Sequence, residues 1–179
     1  QKKTGDSAVN ATTPGALVST GFLHYHAHLL SGIAGVLGET ADRAKYAAVA
    51  SSAAAAFNRA FWDEAKGGYG QNNQSANALA LYMGLVPAAR LARVVESLEK
   101  DVRLIHDYHL TTGNICTKYV LEVLAAHGHL ETALQAATQT SYPSWGFMLA
   151  NGATTIWERW ENATGLPPET VVDALEELE

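Results

Sequence analysis

The feature that most constrains the fold of this chain is the repeated spacing of apolar residues by three and four positions. Such spacing, as between Val18 and Phe22, places apolar side chains on one face of an α-helix. Glycines at Gly38, Gly84 and Gly128 end the apolar stripes, as helix C-termini commonly require. No repeated strand pattern interleaves with these segments. The sequence therefore predicts an all-α chain.

The helices are expected as antiparallel pairs of about 45 residues each, which favours a solenoid or about half of an α/α toroid. Aligning the three glycines gives no other shared residue, so the solenoid is disfavoured. Thr13 is the expected N-cap of the first helix. The β-branched and aromatic segment 154–157 favours a short strand, and Pro167 begins a possible last helix. The six main helices are predicted over about residues 13–38, 40–63, 74–83, 87–102, 115–128 and 130–138.

Composition narrows the classes of protein to which the chain could belong. Its 179 residues suit one domain or a piece of one, and 47% apolar against 17% charged residues indicates a folded chain. A net charge of −6 argues against a nucleic-acid partner, and no apolar run approaches the roughly 18 residues of a membrane span. One cysteine excludes an internal disulfide. Localisation stays open, slightly favouring the cytoplasm, because residues 1–6 do not resemble a signal peptide.

Several side chains could carry chemistry, and each of them also has a structural interpretation. His24 and His28 share a helix face, but no Glu follows His24 as in the zinc-binding H-E-x-x-H pattern, so no metal or other cofactor is expected. Cys116 lies inside an apolar helix, which favours a packed thiol over a nucleophile. His106 and His109 lie in an irregular loop, which is a better place for function.

The most informative stretch runs from residue 142 to residue 161. Three of the four tryptophans, Trp145, Trp157 and Trp160, fall within it, and Glu158 stands between two of them. Aromatic rings can stack on the apolar faces of sugars, and a carboxylate beside them can act as a general base. The structural alternative is that these tryptophans form core and that Glu158 pairs with an arginine. Composition alone leaves both interpretations open.

Longer motifs point to a family. Residues 142–148 read YPSWGFM and residues 151–161 read NGATTIWERWE, which together closely resemble the signature of inverting bacterial α-L-rhamnosidases. HLTTG at 109–113, TKY at 117–119 and QT at 139–140 match as well, so the similarity runs from about residue 13 to residue 161. The resemblance implies that residues 1–179 are a single fragment, about half, of a catalytic α/α six-hairpin toroid. Residues 1–12 are expected to be irregular, and 162–179 form a divergent tail.

The resemblance also implies an activity. It implies hydrolysis of terminal α-L-rhamnosides with inversion and Glu158 as the general base that activates water. Inversion needs a second carboxyl group about 6.5–9.5 Å away as the acid. The family places that acid in an upstream segment with no counterpart here, so the chain alone is expected to show only trace hydrolysis. The residues expected to contact substrate are Trp145, Trp157, Trp160, His109 and Tyr142.

Two other functions stay open. One is a helical carbohydrate-binding or scaffold module without chemistry, and the other is an α/α-toroid hydrolase or lyase of different sugar specificity. The expected partner is a rhamnose-containing glycoside. Half a toroid also leaves an apolar flank uncovered, so we expect association through it, as a homodimer or within a longer enzyme.

Overall fold

The computed structural model describes residues 13–160, apart from the side chain of residue 114. Over that range the chain is helical, which confirms the predicted all-α class, with one short antiparallel hairpin of strands β1 (Trp62–Asp63) and β2 (Gly68–Tyr69). A π-helical turn, Asp101–Ile105, continues the fourth helix. The helices are α1 (Gly15–Leu37), α2 (Thr40–Phe61), α3 (Gln74–Tyr82), α4 (Ala88–Lys100), α5 (Asn114–Ala126), α6 (Leu130–Ala137) and α7 (Trp145–Ala150).

Helices that follow one another pack as hairpins. The pairs α1–α2, α3–α4 and α5–α6 each form such a unit, and α3 also packs against both α1 and α5. Helices α1, α3 and α5 therefore form a row, with α3 in the middle and seven of its nine residues buried. Hydrogen bonds from Thr13 to Asn73 and from Gln74 to the His109 carbonyl bring the N-terminal ends of α1, α3 and α5 together at one end of the molecule.

The core is one continuous apolar cluster that spans the three hairpins. Fully buried leucines, among them Leu17, Leu79 and Leu124, each contribute roughly 1.5–3 kcal/mol by leaving water. Met148 from α7 and Trp160 from the following loop join the same cluster. The candidate functional segment is therefore packed onto the helical body.

Several local predictions were wrong. Thr13 is not the cap of α1: Pro14 occupies the N-cap position, and the Thr13 hydroxyl faces Asn73 Oδ1 at 3.4 Å instead. Residues 154–157 form no strand, because no free strand edge in the described part of the chain pairs with them. The fourth helix, expected to end near residue 102, continues as a π-turn to Ile105. The helix predicted from Pro167 lies outside the described residues.

The C-terminal half of α1 exposes an apolar face. Val36 is 89% exposed, and Leu29, Ile33 and Leu37 beside it are also open to solvent. With His28 they line an open cleft of about 400 Å³. We refer to this surface as the α1 flank, and association through it stays a prediction. No helix among residues 13–160 has the length and apolarity needed to cross a membrane.

Candidate active site

The candidate site lies at the end of the molecule where the N-termini of α1, α3 and α5 meet. Three segments converge there: the loop 106–113 before α5, the loop 138–144 before α7, and residues 151–160 after α7. Hydrogen bonds between residues far apart in the sequence join these segments to one another and to α3. The residues that carried the family resemblance are thus brought to one place.

The 106–113 loop contains two residues with unusual backbone angles. Asp107 and Tyr108 have φ values of 45° and 60°, in the left-handed region that costs a non-glycine residue about 1–3 kcal/mol. Gln139 Nε2 donates to the Asp107 carbonyl oxygen at 3.2 Å, and the Tyr108 amide donates to the Val102 carbonyl at 2.7 Å. Neighbouring elements therefore hold the loop in this conformation.

Gln74 joins the same loop to α3, a contact that no pattern in the sequence indicates. Its side chain is completely buried, with 0% exposed. Gln74 Nε2 donates to the His109 carbonyl at 3.0 Å, while the Thr111 amide donates to Gln74 Oε1 at 3.0 Å. The partners lie 35 and 37 residues further along the chain, so no local pattern could have revealed them.

His109, an expected substrate contact, connects two of the loops. Its Nδ1 lies 2.9 Å from the His106 carbonyl oxygen and its Nε2 lies 2.8 Å from Ser141 Oγ. A carbonyl oxygen only accepts, so we assign the proton of the neutral ring to Nδ1 and the Ser141 hydroxyl as donor to Nε2. Within residues 13–160 no hydrogen bond joins His109 to Glu158. His109 therefore joins the loop 106–113 to the loop 138–144.

Trp160 anchors the segment that contains the expected base. It is only 7% exposed, and its Nε1 donates to the Thr112 carbonyl oxygen at 2.7 Å. Its ring centre lies 5.9 Å from that of Trp145, with the ring planes inclined at 56°. Packing and hydrogen bonding thus occupy this indole, and its expected contact with sugar stays a prediction.

Trp145 and Tyr142 are held by the start of α7. The Phe147 amide donates to the side chain of Ser144, the N-cap, at 2.9 Å. Tyr142 meets the Phe147 ring edge-on, with ring centres 5.2 Å apart. Gly146 allows the preceding loop to lie against the helix, since a Cβ there would stand 2.5 Å from the Gln139 carbonyl oxygen. The position of Trp145 therefore depends on a close backbone approach.

Glu158 is exposed and Trp157 is half-buried. The carboxylate is therefore accessible to water and to a substrate, whereas burial in the packed interior would have contradicted a role as base. Close by in sequence, an open apolar cleft of about 410 Å³ lies against α7. Its lining residues are Trp145, Met148, Leu149, Ala153, Thr154, Thr155 and Ile156.

The other candidate groups have structural roles. His24 Nδ1 lies 2.9 Å from the Ala50 carbonyl oxygen and its Nε2 lies 3.1 Å from that of Met83, so the ring joins α1 to α2 and to the end of α3. Burial raises the pKa of the Cys116 thiol, which agrees with a packed thiol. Among the residues that the structure describes, no group of three or more His, Cys, Asp or Glu side chains could hold a metal ion.

Comparison with known proteins identifies close relatives. Residues 1–173 match the family described as the bacterial α-L-rhamnosidase six-hairpin glycosidase domain. An α-L-rhamnosidase of Streptomyces avermitilis is 35% identical over 156 residues, which are 86% of this chain and 15% of that protein. One of Formosa agariphila is 33% identical over 84% of this chain and 16% of that protein. The chain thus spans about one sixth of the length of these relatives.

Solved structures of relatives share the fold. The α-L-rhamnosidase from Dictyoglumus thermophilum superimposes with a TM-score of 0.80 at 36% identity, covering 97% of this chain and 21% of that one. The Streptomyces avermitilis α-L-rhamnosidase complexed with L-rhamnose gives a TM-score of 0.78 at 33% identity, covering 84% and 14%. These likenesses confirm the predicted partial α/α toroid.

Proposed function

The chain belongs to the bacterial α-L-rhamnosidase six-hairpin glycosidase domain family, and from this we propose that it carries the water-activating side of an α-L-rhamnosidase active site. The observation that carries the proposal is the placement of Glu158. Its carboxylate is exposed, while two residues later Trp160 is buried and bonded to the Thr112 carbonyl. A solvent-accessible carboxylate on an anchored segment is what a general base requires.

In the proposed reaction Glu158 accepts a proton from a water molecule as the water oxygen attacks the anomeric carbon of rhamnose. The bond from that carbon to the glycosidic oxygen breaks on the opposite face, so the configuration inverts. The departing oxygen takes a proton from a second carboxyl group, which we assign to no residue of this chain. A positioned base typically accelerates such a step by about 10²–10⁴-fold.

Substrate binding is proposed to rest on the aromatic residues around the carboxylate. The half-buried rings of Trp157 and Trp145 offer faces for the apolar side of a deoxysugar. His109 and Tyr142 line the neighbouring loops, where polar groups can bind sugar hydroxyls. The buried Trp160 packs against Trp145 and is proposed to support this surface from the side of the core.

A substrate that needs no acid tests the base directly. In 2,4-dinitrophenyl α-L-rhamnoside the leaving phenolate is stable without protonation, so the base alone can drive hydrolysis. We expect slow release of dinitrophenolate, and Glu158→Gln should lower kcat by about 10²–10⁴-fold. Glu131→Gln, an exposed carboxylate on α6, is the matched control and should leave the rate unchanged. An alkyl α-L-rhamnoside, which needs the acid, should be cleaved only at a trace rate.

The stereochemistry gives a second measurement. Proton NMR of the freshly released sugar should show β-L-rhamnose first, because water attacks opposite the leaving group. Release of the α anomer would contradict inversion. Hydrolysis that is equally fast in Glu158→Gln would remove Glu158 from the mechanism.

The alternative function is carbohydrate binding without chemistry. The apolar cleft of about 410 Å³ beside Trp145 is the observation that favours it. Titration calorimetry with L-rhamnose distinguishes the two proposals. Binding that survives Glu158→Gln, in a chain that hydrolyses none of these substrates, would favour the binding module.

A further inference from the structure

We infer that Gln74 is a positioning residue for the proposed reaction, acting on Glu158 through the backbone of residues 109–112 and through Trp160. The inference rests on the proposed function. Gln74 lies in the first turn of α3, far from Glu158 in the sequence, and touches none of the reacting atoms. Its effect would therefore be exerted through the loop that it holds.

The side-chain amide of Gln74 both donates to and accepts from the backbone of the loop segment 109–112, which we call the strip. Gln74 Nε2 donates to the His109 carbonyl oxygen, and Gln74 Oε1 accepts from the Thr111 amide, both at 3.0 Å. The side chain thus bonds to the strip as the backbone of a neighbouring β-strand would. Leu110 between them is 2% exposed. A buried amide with a donor and an acceptor each satisfied has one favourable orientation, because the reverse would place like groups face to face. Gln74 therefore fixes the register of this strip against α3.

The strip needs a partner to hold it because it follows directly after two residues with strained backbone angles. Asp107 and Tyr108 adopt left-handed backbone angles that free residues of these types avoid. The contacts of Gln74 begin at the next residue, His109, so they hold the chain where it leaves the strained turn. Without them, relaxation of Asp107 and Tyr108 would shift residues 109–112.

A shift of this strip would be transmitted to the base. Thr112 is fully buried, and its carbonyl oxygen accepts the hydrogen bond from Trp160 Nε1 at 2.7 Å. Glu158 lies two residues before Trp160. Misplacement of a reacting group by about 1 Å can lower a rate by about 10²-fold. Gln74 would thus contribute to kcat without contacting the substrate.

The experiment compares Gln74→Leu, which has a similar shape and no hydrogen bonds, with Gln135→Leu on the exposed face of α6. With 2,4-dinitrophenyl α-L-rhamnoside we expect Gln74→Leu to lower kcat by about 10- to 100-fold, with KM nearly unchanged. We also expect the Trp160 indole N–H to exchange with solvent roughly tenfold faster, measured by NMR. Gln135→Leu should match the native chain in each measurement.

A second variant, Gln74→Glu, remains informative if Gln74→Leu fails to fold. A protonated carboxyl group can donate to the His109 carbonyl and accept from the Thr111 amide, as the amide does. An ionised one can only accept, and it would face the His109 carbonyl oxygen unfavourably. We expect kcat relative to the native chain, and slow Trp160 exchange, to be retained at low pH and lost as pH rises through the carboxyl pKa. A purely structural role would leave kcat unchanged over the pH range in which the variant stays folded.

The outcomes separate the two proposals. Native kcat and native indole exchange in folded Gln74→Leu, or a Gln74→Glu chain with no such pH dependence, would overturn the role of Gln74. If the native chain shows no hydrolysis that depends on Glu158, the proposed function fails. In that case the Trp160 exchange rates still decide whether Gln74 holds the indole.

Discussion

At the scale of single residues, the candidate site is held together by side chains that bond to backbone groups. Trp160 donates to the Thr112 carbonyl oxygen, and Gln74, which lies on α3, donates to the His109 carbonyl oxygen. Both are buried, so removal of either leaves a backbone group without a partner and away from water. Such losses cost more than the hydrogen bond itself contributes.

The variant Trp160→Phe tests the hydrogen bond from the Trp160 indole to the Thr112 carbonyl oxygen. It leaves the Thr112 carbonyl without its indole donor, and we expect a loss of about 1–3 kcal/mol in the free energy of unfolding, measured by urea denaturation. Trp62→Phe removes an indole hydrogen bond of similar length, 2.8 Å to the exposed Glu64. This control should lose less stability, since water replaces the bond. Equal losses in the two variants would contradict the anchoring role of Trp160.

Cys116 tests the packing at the start of α5. Burial raises the pKa of its thiol, so the folded chain holds the thiol protonated at a pH where a free thiol begins to ionise. A disulfide reagent at pH 8 should react slowly with the folded chain and rapidly in urea. By linkage, stability is fully present below the unfolded thiol pKa and declines as pH rises above it. Cys116→Ser has no thiol, so its unfolding free energy should lack the part of the decline that comes from thiol ionisation.

At the scale of elements, close backbone approaches set how the helices meet. At Gly21 a Cβ would stand 2.6 Å from Leu79 Cδ2, so α1 can approach α3 closely. Gly146 has the same function between α7 and the loop before it. Gly32, by contrast, has no atom within 4 Å of its Cβ position.

Two alanine substitutions exploit this difference. In Gly146→Ala the new Cβ would meet the Gln139 carbonyl oxygen at 2.5 Å and Thr140 Cα at 2.9 Å, so α7 must move. We expect a loss of about 1–3 kcal/mol in unfolding free energy and a changed fluorescence of Trp145. Gly32→Ala should instead raise stability by roughly 0.5–1 kcal/mol, because alanine favours an exposed helix interior. A stable Gly146→Ala chain with native fluorescence would contradict the close approach.

At the scale of the whole molecule, the exposed apolar face of α1 is the feature that bears on association. Leu29, Ile33, Val36 and Leu37 lie open to solvent along this face. Contiguous apolar surface of this kind marks association in soluble proteins. We propose that a second copy of this chain, or the remainder of a longer enzyme where one is attached, covers it.

Sedimentation velocity at micromolar concentration measures that association. We expect a concentration-dependent dimer, and the double variant Ile33→Lys with Val36→Lys should sediment as a monomer. The control, Leu104→Lys with Ile105→Lys, adds the same charge to exposed apolar residues away from this flank and should dimerise like the native chain. A native chain that stays monomeric throughout would contradict the proposal.

The helices follow from the order of amino acids alone, because amphipathic spacing is local. The bounds of α3, α5 and α6 lie within one or two residues of those expected from apolar periodicity and from the glycines that follow. The motif that contains Trp157 and Glu158 carried the family, since that likeness also depends only on the order of residues. The strand expected at 154–157 was wrong because a strand needs a partner, and propensity does not supply one.

Which polar groups are buried, and what they bind, depends on how distant segments pack and cannot be predicted from local patterns. Gln74 is a polar residue at the predicted start of the third helix, yet it lies in the core because its partners come from 35 and 37 residues further along the chain. His24 shares a predicted helix face with His28, but only the tertiary structure shows that the carbonyl oxygens of Ala50 and Met83 lie within hydrogen-bond distance of its ring nitrogens. Trp160 faces the Thr112 carbonyl, 48 residues before it. Periodicity shows which face of a helix avoids water, but the groups that meet that face are fixed only when distant segments pack.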